Sequence, residues 1–122
     1  RMHKAKSSQE QTFNIWGTGK PKREFLYVDD LAEAINFVIE NDINKDLLNV
    51  GSNEEVTINE LSNIIKEVLN FKGSLQFDKS KPDGNPRKLL DSTRIFELGW
   101  KPSISLKLGI ERTYSWFMKN IS

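Results

Sequence analysis

The chain has 122 residues, a size typical of one domain, and 37% of them are apolar, which is enough to build a hydrophobic core. Its 18 cationic and 17 acidic side chains give a net charge of +1, which argues against a general nucleic-acid binder, because such a protein carries a clear basic excess. The absence of cysteine excludes disulfides, thiolate metal sites and cysteine nucleophiles. The sequence shows neither an apolar run of membrane-spanning length nor a secretory signal pattern, so we expect a cytoplasmic protein without a membrane partner.

Hydrophobic periodicity predicts strands and helices in alternation, which places the chain in the α/β class. The predicted order begins with the last turns of a helix at the start of RMHKAKSSQEQ (1–11), followed by strands over 12–16 and 24–28 and a helix over 31–41. A strand over 47–51, a helix over 58–68, a strand over 74–78, a short helix over 94–98 and a final helix that begins at 105 complete it. Thr57 and Glu60 have the spacing of a capping box before the helix over 58–68. The abrupt, cation-rich start leads us to expect that the sequence is part of a larger protein.

Several conspicuous side chains receive structural rather than chemical interpretations. Asp29 and Asp30 open the second helix, where carboxylates cap the chain and favour the positive end of the helix dipole. Trp100 and Trp116 are predicted to lie in the core, the latter because it neighbours the apolar stripe of the last helix. His3 is the only histidine, and in a frayed helix end we expect it to be solvated rather than to act as a base.

The sequence lacks the residues that several kinds of catalysis require. A single histidine gives no convincing Ser-His-Asp arrangement, and scattered carboxylates give no metal site. Neither a Walker loop nor a GxGxxG motif occurs. We therefore assign no catalytic residue and no metal to this chain.

Two charged loops are the candidates for a binding site. WGTGKPKRE (16–24) combines an indole that can stack on a base or a sugar with Arg23, whose guanidinium fork suits a diphosphate. SKPDGNPRKLLD (80–91) places Asp83 among cations on a backbone predicted to be neither helix nor strand, and this carboxylate can accept from ribose hydroxyls or from a guanine edge. If the loops face each other they form a clamp for a nucleoside diphosphate. The alternative is that both are solvated turns.

Three segments carry a resemblance to a known family: IWGTGKPKREFLYVDDLAEA (15–34), NVGSNEEVTINEL (49–61) and the run from FDKSKPDG to YSWF (77–117). Together they resemble the GDP-L-fucose synthase family, within the extended short-chain dehydrogenase/reductase superfamily. The R-E-F-x-x-V-D-D pattern is common to many nucleotide-sugar epimerases and reductases. The string SKPDG-x-PRKLLD followed by LGW is more particular to the fucose synthases.

The resemblance implies a two-lobed protein, in which residues 1–122 form the C-terminal substrate-binding lobe, with a helix and a strand that complete the other lobe. The family's N-terminal lobe binds NADP and carries a Ser, Tyr and Lys set. Here Leu31 and Met118 stand four residues after Tyr27 and Tyr114, so the Tyr-x-x-x-Lys pair is missing. The implied reaction converts GDP-4-keto-6-deoxy-D-mannose to GDP-L-fucose by two epimerisations and a hydride transfer from NADPH, in a homodimer. The isolated chain is expected to be inactive.

The family's substrate contacts fall on five residues of this sequence: Arg1, Trp16, Arg23, Asp83 and Lys88. The resemblance implies that Arg23 and Lys88 bind the diphosphate, that Trp16 covers the sugar or the diphosphate, and that Asp83 reads the guanosine. Arg1 is the weakest match. Two alternatives remain, namely the substrate lobe of another nucleotide-sugar epimerase or dehydratase, and a non-catalytic interaction domain that keeps the fold.

Overall fold

The computed structural model describes residues 1–44 and 47–121, and it confirms an α/β arrangement. The elements in chain order are α1 (Met2–Ser7), β1 (Thr12–Trp16), β2 (Lys22–Glu24), α2 (Val28–Glu40), β3 (Glu55–Thr57), α3 (Ile58–Leu69), β4 (Ser74–Asp78), β5 (Arg87–Lys88), α4 (Thr93–Glu97) and α5 (Leu106–Asn120). Within the described ranges, no helix is long and apolar enough to cross a membrane.

The strands form two small sheets. In the first, β1 and β4 pair in parallel and end together, with Trp16 beside Asp78. In the second, β2 lies between antiparallel β3 and parallel β5, and Arg23 is the in-register neighbour of Lys88. Because the carboxyl ends of parallel strands lie at the same edge of a sheet, the loops that follow β1 and β4 start side by side.

Apolar side chains form two buried clusters. The first lies where α1 meets the end of α3, and its buried members are Met2, Ala5, Leu69 and Phe71. The second lies between α2 and α4, and its buried members are Ala34, Ile95 and Trp100. The burial of Trp100 confirms its predicted place in the core.

The starts of α3 and α5 follow the sequence pattern. Thr57 Oγ1 accepts from Glu60 N at 3.1 Å, while Glu60 Oε2 accepts from Thr57 N at 2.7 Å, so the predicted capping box is confirmed. Ser105 Oγ accepts from Leu108 N at 3.3 Å at the start of α5. These side chains satisfy amide groups that a helix leaves without a partner in its first turn.

The capping role predicted for Asp29 and Asp30 is wrong. α2 begins at Val28, so both aspartates lie inside its first turn and neither is the N-cap. Asp29 is exposed, whereas Asp30 is only 1% exposed and accepts from Ser103 N and Oγ at 3.0 Å and from Ile104 N at 3.1 Å. Asp30 therefore anchors the segment before α5 to the first turn of α2, because a buried carboxylate must have its acceptors satisfied.

Three strand predictions also need correction. The strand predicted over 24–28 is displaced, because β2 ends at Glu24 where its antiparallel neighbour begins, and Val28 already belongs to α2. Residues 47–51 form no strand, since no described strand lies beside them to accept their hydrogen bonds. The loop predicted to be fully irregular contains the two-residue strand β5.

The predictions for Trp116 and His3 are wrong. Trp116 is 58% exposed rather than buried, because it lies one position before Phe117 and thus about 100° around the helix from the packed face. His3 is half-buried rather than solvated. Its Nδ1 lies 3.0 Å from the Tyr114 hydroxyl and its ring packs edge-on against Phe117, so it joins α1 to α5.

Candidate functional site

The loop after β1 (residues 17–21, the first loop) and the loop after β4 (residues 79–86, the second loop) lie against each other. At one end Gly17 N donates to Asp78 O at 2.9 Å, which continues the pairing of β1 with β4. At the other end the first amide of β2 donates to Pro86 O at 2.9 Å, which begins the pairing of β2 with β5. The two loops singled out in the sequence are therefore neighbours, as a clamp requires.

Asp83 joins the middle of the second loop to the first. Its Oδ1 accepts from Thr18 N at 2.5 Å and its Oδ2 accepts from Thr18 Oγ1 at 2.7 Å. These hydrogen bonds, with a smaller contribution from Lys20, hold the pKa of the Asp83 carboxyl below its ordinary value. Gly17 permits the close approach, since it has φ +85° and a Cβ there would collide with Asp83 Oδ1.

Arg23 and Lys88 place two cations on one face of adjacent strands. Arg23 Nη1 donates to Lys22 O at 2.6 Å and to Asn85 O at 2.9 Å, which leaves its other guanidinium nitrogens available to a ligand. Among the residues that the structure describes, neither cation has a salt-bridge partner. Gly84 leaves space beside Arg23 Nη2, since a Cβ there would lie 3.9 Å from that nitrogen.

Arg87, the immediate neighbour of Lys88, has a different use. Its Nε and Nη2 donate to the two carboxylate oxygens of Glu55 at 2.8 and 2.7 Å, a bidentate pair that joins β5 to β3 across β2. The pair raises the pKa of Arg87 and lowers the pKa of Glu55, chiefly through these hydrogen bonds. Arg87 therefore stabilises the sheet, and these two donors are not available to a ligand.

Glu24 has a supporting role that the sequence reasoning missed. Its Oε1 accepts from Asn53 N at 2.6 Å and its Oε2 accepts from Leu90 N at 3.1 Å, so one carboxylate holds the turn before β3 and the end of the segment after β5. Gly51 allows this approach, because a Cβ there would collide with the Glu24 carboxylate. The available signal was the position of Glu24 directly after Arg23, on the opposite face of the same strand.

Trp16 and Arg1 line a groove whose lining does not include the cation pair. Trp16 is 65% exposed at the end of β1, with Lys81 Nζ 5.8 Å from its ring centre. The Arg1 guanidinium lies 5.7 Å from the ring centre of Phe13. Both residues line a largely apolar groove of about 800 Å³ between β1, α3, α5 and the segment 25–27.

The five predicted contact residues are therefore brought together only in part. Arg23, Lys88 and Asp83 lie in the two touching loops and the strand pair that follows them. Arg1 belongs to the groove, and Trp16 connects the two regions, because it lines the groove and directly precedes the first loop. The arrangement offers a cationic rim beside an apolar groove with one exposed indole.

The described residues do not fit a nicotinamide dinucleotide. Binding of that group needs a glycine-rich turn that leads from a strand into the N-terminus of a helix. The turn with Gly17 and Gly19 leads from β1 into another strand instead. In the part of the chain that the structure describes, no three His, Asp or Glu side chains converge as metal ligands.

Comparison with known proteins finds relatives that match nearly the whole of this chain. Residues 1–51 match the NAD dependent epimerase/dehydratase family. The chain is 48% identical to GDP-L-fucose synthase 1 of Arabidopsis thaliana over 121 residues, which are 99% of this chain and 38% of that protein. It is 44% identical to the GDP-L-fucose synthase of Escherichia coli (strain K12), with 98% of this chain and 40% of that protein covered.

Solved structures agree with the sequence relatives. The crystal structure of a GDP-L-fucose synthetase from Naegleria fowleri superposes with a TM-score of 0.85 at 28% identity, over 98% of this chain and 37% of that one. The same protein has also been solved bound to NADP. The chain thus spans well under half the length of these relatives.

Proposed function

Because the chain is similar over nearly all of its length to the C-terminal part of GDP-L-fucose synthases, we propose that it is the substrate-binding lobe of such an enzyme. The fold is that of an extended short-chain dehydrogenase/reductase. The proposed reaction takes GDP-4-keto-6-deoxy-D-mannose to GDP-L-fucose by 3,5-epimerisation and 4-reduction with NADPH. This lobe would hold the GDP-sugar.

The observation that carries the proposal is the pairing of Arg23 with Lys88. In-register neighbours on adjacent strands lie about 4.8 Å apart with their side chains on the same face. Like charges placed opposite each other on neighbouring strands weaken a sheet. A diphosphate would remove this penalty, since its non-bridging oxygens suit the guanidinium fork of Arg23 while the ammonium of Lys88 acts as a second point charge.

The remaining contacts have separate support. Trp16 offers an exposed ring face on which a sugar or a base can pack, at the junction of the cationic rim and the groove. Arg1 lines the same groove, with its guanidinium 5.7 Å from the ring centre of Phe13. A contact between Asp83 and guanosine stays a prediction: Thr18 occupies both of its oxygens, although each oxygen keeps a lone pair for a further donor.

The chemical contribution of this lobe would be binding and orientation. NADPH, when bound, supplies the hydride for the reduction step, and in our proposal its site and the proton-transferring residues lie outside residues 1–122. Holding the diphosphate at Arg23 and Lys88 would fix one end of the substrate, so that its sugar ring presents one geometry to those groups.

A second apolar surface supports the two-lobe proposal. Val28, Leu31, Ile35 and Ile39 follow one another along α2 and are each more than 40% exposed. Such a stripe normally packs against another element. In our proposal the NADP-binding lobe covers it and supplies the strand partner for residues 47–51. Homodimer formation and a cytoplasmic location belong to the same proposal.

A chimera tests the function directly. The corresponding 40% of the Escherichia coli enzyme is replaced by this chain, and NADPH oxidation is followed with GDP-4-keto-6-deoxy-D-mannose. We expect turnover by the chimera and none by either part alone. Tighter binding of UDP- or dTDP-sugars than of the GDP-sugar would favour another epimerase or dehydratase. A folded chimera that binds no nucleotide sugar would favour the interaction domain.

A further inference from the structure

The first loop does not by itself fix how Trp16 and Arg23 are placed relative to each other. Trp16 ends β1 and Arg23 lies in β2, and the turn between them contains Gly17 at φ +85° and Gly19 at φ +77°. Glycine allows many backbone conformations, so a turn with two glycines leaves the angle between the strands poorly defined. A further constraint has to come from outside the turn.

The start of α3 supplies one such constraint, since Asn59 N donates to Gly19 O and Ile58 N donates to Pro21 O, both at 2.9 Å. Asp83 supplies another from the second loop. Thr18, between the two glycines, donates its amide to one carboxylate oxygen and its hydroxyl to the other, at 2.5 and 2.7 Å. Hydrogen bonds to an ionised acceptor are roughly twice as strong as neutral ones, and a two-point contact also fixes orientation. This residue pair therefore adds a two-point contact in the middle of the loops, between the backbone hydrogen bonds that join their ends.

The surroundings indicate a positioning role rather than a stabilising one. Thr18 is only half-buried and Asp83 is exposed, so water competes for both partners. Exposed polar contacts contribute little to the free energy of unfolding. Yet this contact requires glycine at position 17, because a side chain there would displace the Asp83 carboxylate.

We infer that Thr18 and Asp83 form a latch between the loops, which positions Trp16 and Arg23 for the GDP-sugar, and that Asp83 acts through this latch rather than by reading the base. The inference rests on the proposed function for its ligand, but the latch itself concerns only this chain. It assigns Thr18, which the sequence reasoning passed over, as a positioning residue.

Amide hydrogen exchange in the 122-residue chain tests the latch without any ligand. Thr18→Val keeps the shape of the side chain and removes its hydroxyl donor, whereas Thr18→Ser keeps the donor. Thr12→Val is the matched control, because the Thr12 hydroxyl bonds Ser74 at the far end of β1 and no other described residue. We expect faster exchange over 79–86 in Thr18→Val. Exchange over the same residues should keep the rate of the unaltered chain in Thr18→Ser and in the control. Unchanged exchange over 79–86 in Thr18→Val would refute the latch.

Calorimetric titration of the same variants with GDP and UDP tests the positioning role. Thr18→Val and Asp83→Asn should each weaken both nucleotides by a similar factor, roughly tenfold, and Thr18→Ser should restore binding. A loss confined to GDP in Asp83→Asn would show that Asp83 reads the base and would overturn the inference. Failure of the unaltered chain to bind GDP would count against the proposed function, and the exchange result would still decide the latch.

Discussion

Arg23 and Lys88 lie side by side in register on the parallel strands β2 and β5, and neither meets an anion among the described residues. Two other residue pairs stabilise the strands and loops around these cations. Arg87 is bound to Glu55 across the same sheet, and Thr18 holds Asp83 in the adjoining loop. The two cations are therefore held in place while their charge remains available to a ligand.

Breaking the Arg87–Glu55 pair should loosen the sheet that presents the two cations. Arg87→Ala leaves Glu55, whose side chain is only 12% exposed, without its partner. We expect a lower melting temperature by circular dichroism, and we expect Arg87→Lys to recover little of it, because an ammonium cannot form the two-point contact. Equal melting temperatures for the lysine variant and the unaltered chain would contradict this.

The same pair should respond to acid in a defined direction. The pKa of Glu55 is lower in the folded chain than its ordinary value of 4.5, so the folded state favours the ionised carboxylate. Its contribution to stability is therefore complete above that value and declines as the pH falls through the folded pKa. The difference in melting temperature between Arg87→Ala and the unaltered chain should be largest near neutral pH and shrink in acid. A difference that grows in acid would reverse the sign and reject the explanation.

Asp30 should matter far more to folding than its neighbour Asp29. Asp30→Ala removes a buried carboxylate that accepts three hydrogen bonds from Ser103 and Ile104, which we expect to cost on the order of 3 kcal/mol in the free energy of unfolding. Asp29→Ala is the matched control, because Asp29 is exposed and should change stability by less than about 0.5 kcal/mol. Chemical denaturation measures both. Equal losses of stability in the two variants would mean that negative charge at the start of α2, and not the buried contact of Asp30, accounts for the effect.

The capping box offers a further measurement at the start of α3. Thr57→Ala removes the hydroxyl that accepts from Glu60 N, and loss of an N-cap typically costs about 0.5–2 kcal/mol. Thr57→Ser keeps the acceptor and should retain most of the stability. Chemical denaturation measures the free energy of unfolding of the two variants. If serine and alanine destabilise the chain equally, the methyl group rather than the hydroxyl is responsible.

Features set by neighbouring residues could be predicted from the sequence, and features set by distant partners could not. The capping box of α3 depends on Thr57 and Glu60, three residues apart, and it was predicted correctly. Asp30 was misread because its partners lie more than 70 positions further along the chain. Residues 47–51 have the composition of a strand, but a strand also needs a neighbour to pair with.

The candidate site shows the same division. Composition alone pointed to the two loops, because glycines, prolines and charges cluster there for reasons visible in sequence. It could not distinguish Arg87 from Lys88, which are adjacent and both cationic. Only the register of β5 on β2, and of β2 on β3, decides which one faces Glu55. Thr18 was missed because a threonine between two glycines has no chemical signature until its acceptor is known.

The central claim is that Arg23 and Lys88 together receive the diphosphate of a GDP-sugar. The most direct measurement is calorimetric titration of GDP and guanosine into the unaltered chain, Arg23→Ala, Lys88→Ala and the double variant, with Lys119→Ala on α5 as a charge control. We predict that Arg23→Ala weakens GDP roughly ten- to a hundredfold, that the two losses are not additive because the cations share one ligand group, and that guanosine binding is unaffected. GDP affinity that is the same in Arg23→Ala, Lys88→Ala and Lys119→Ala would contradict the claim and leave these side chains as ordinary surface charges.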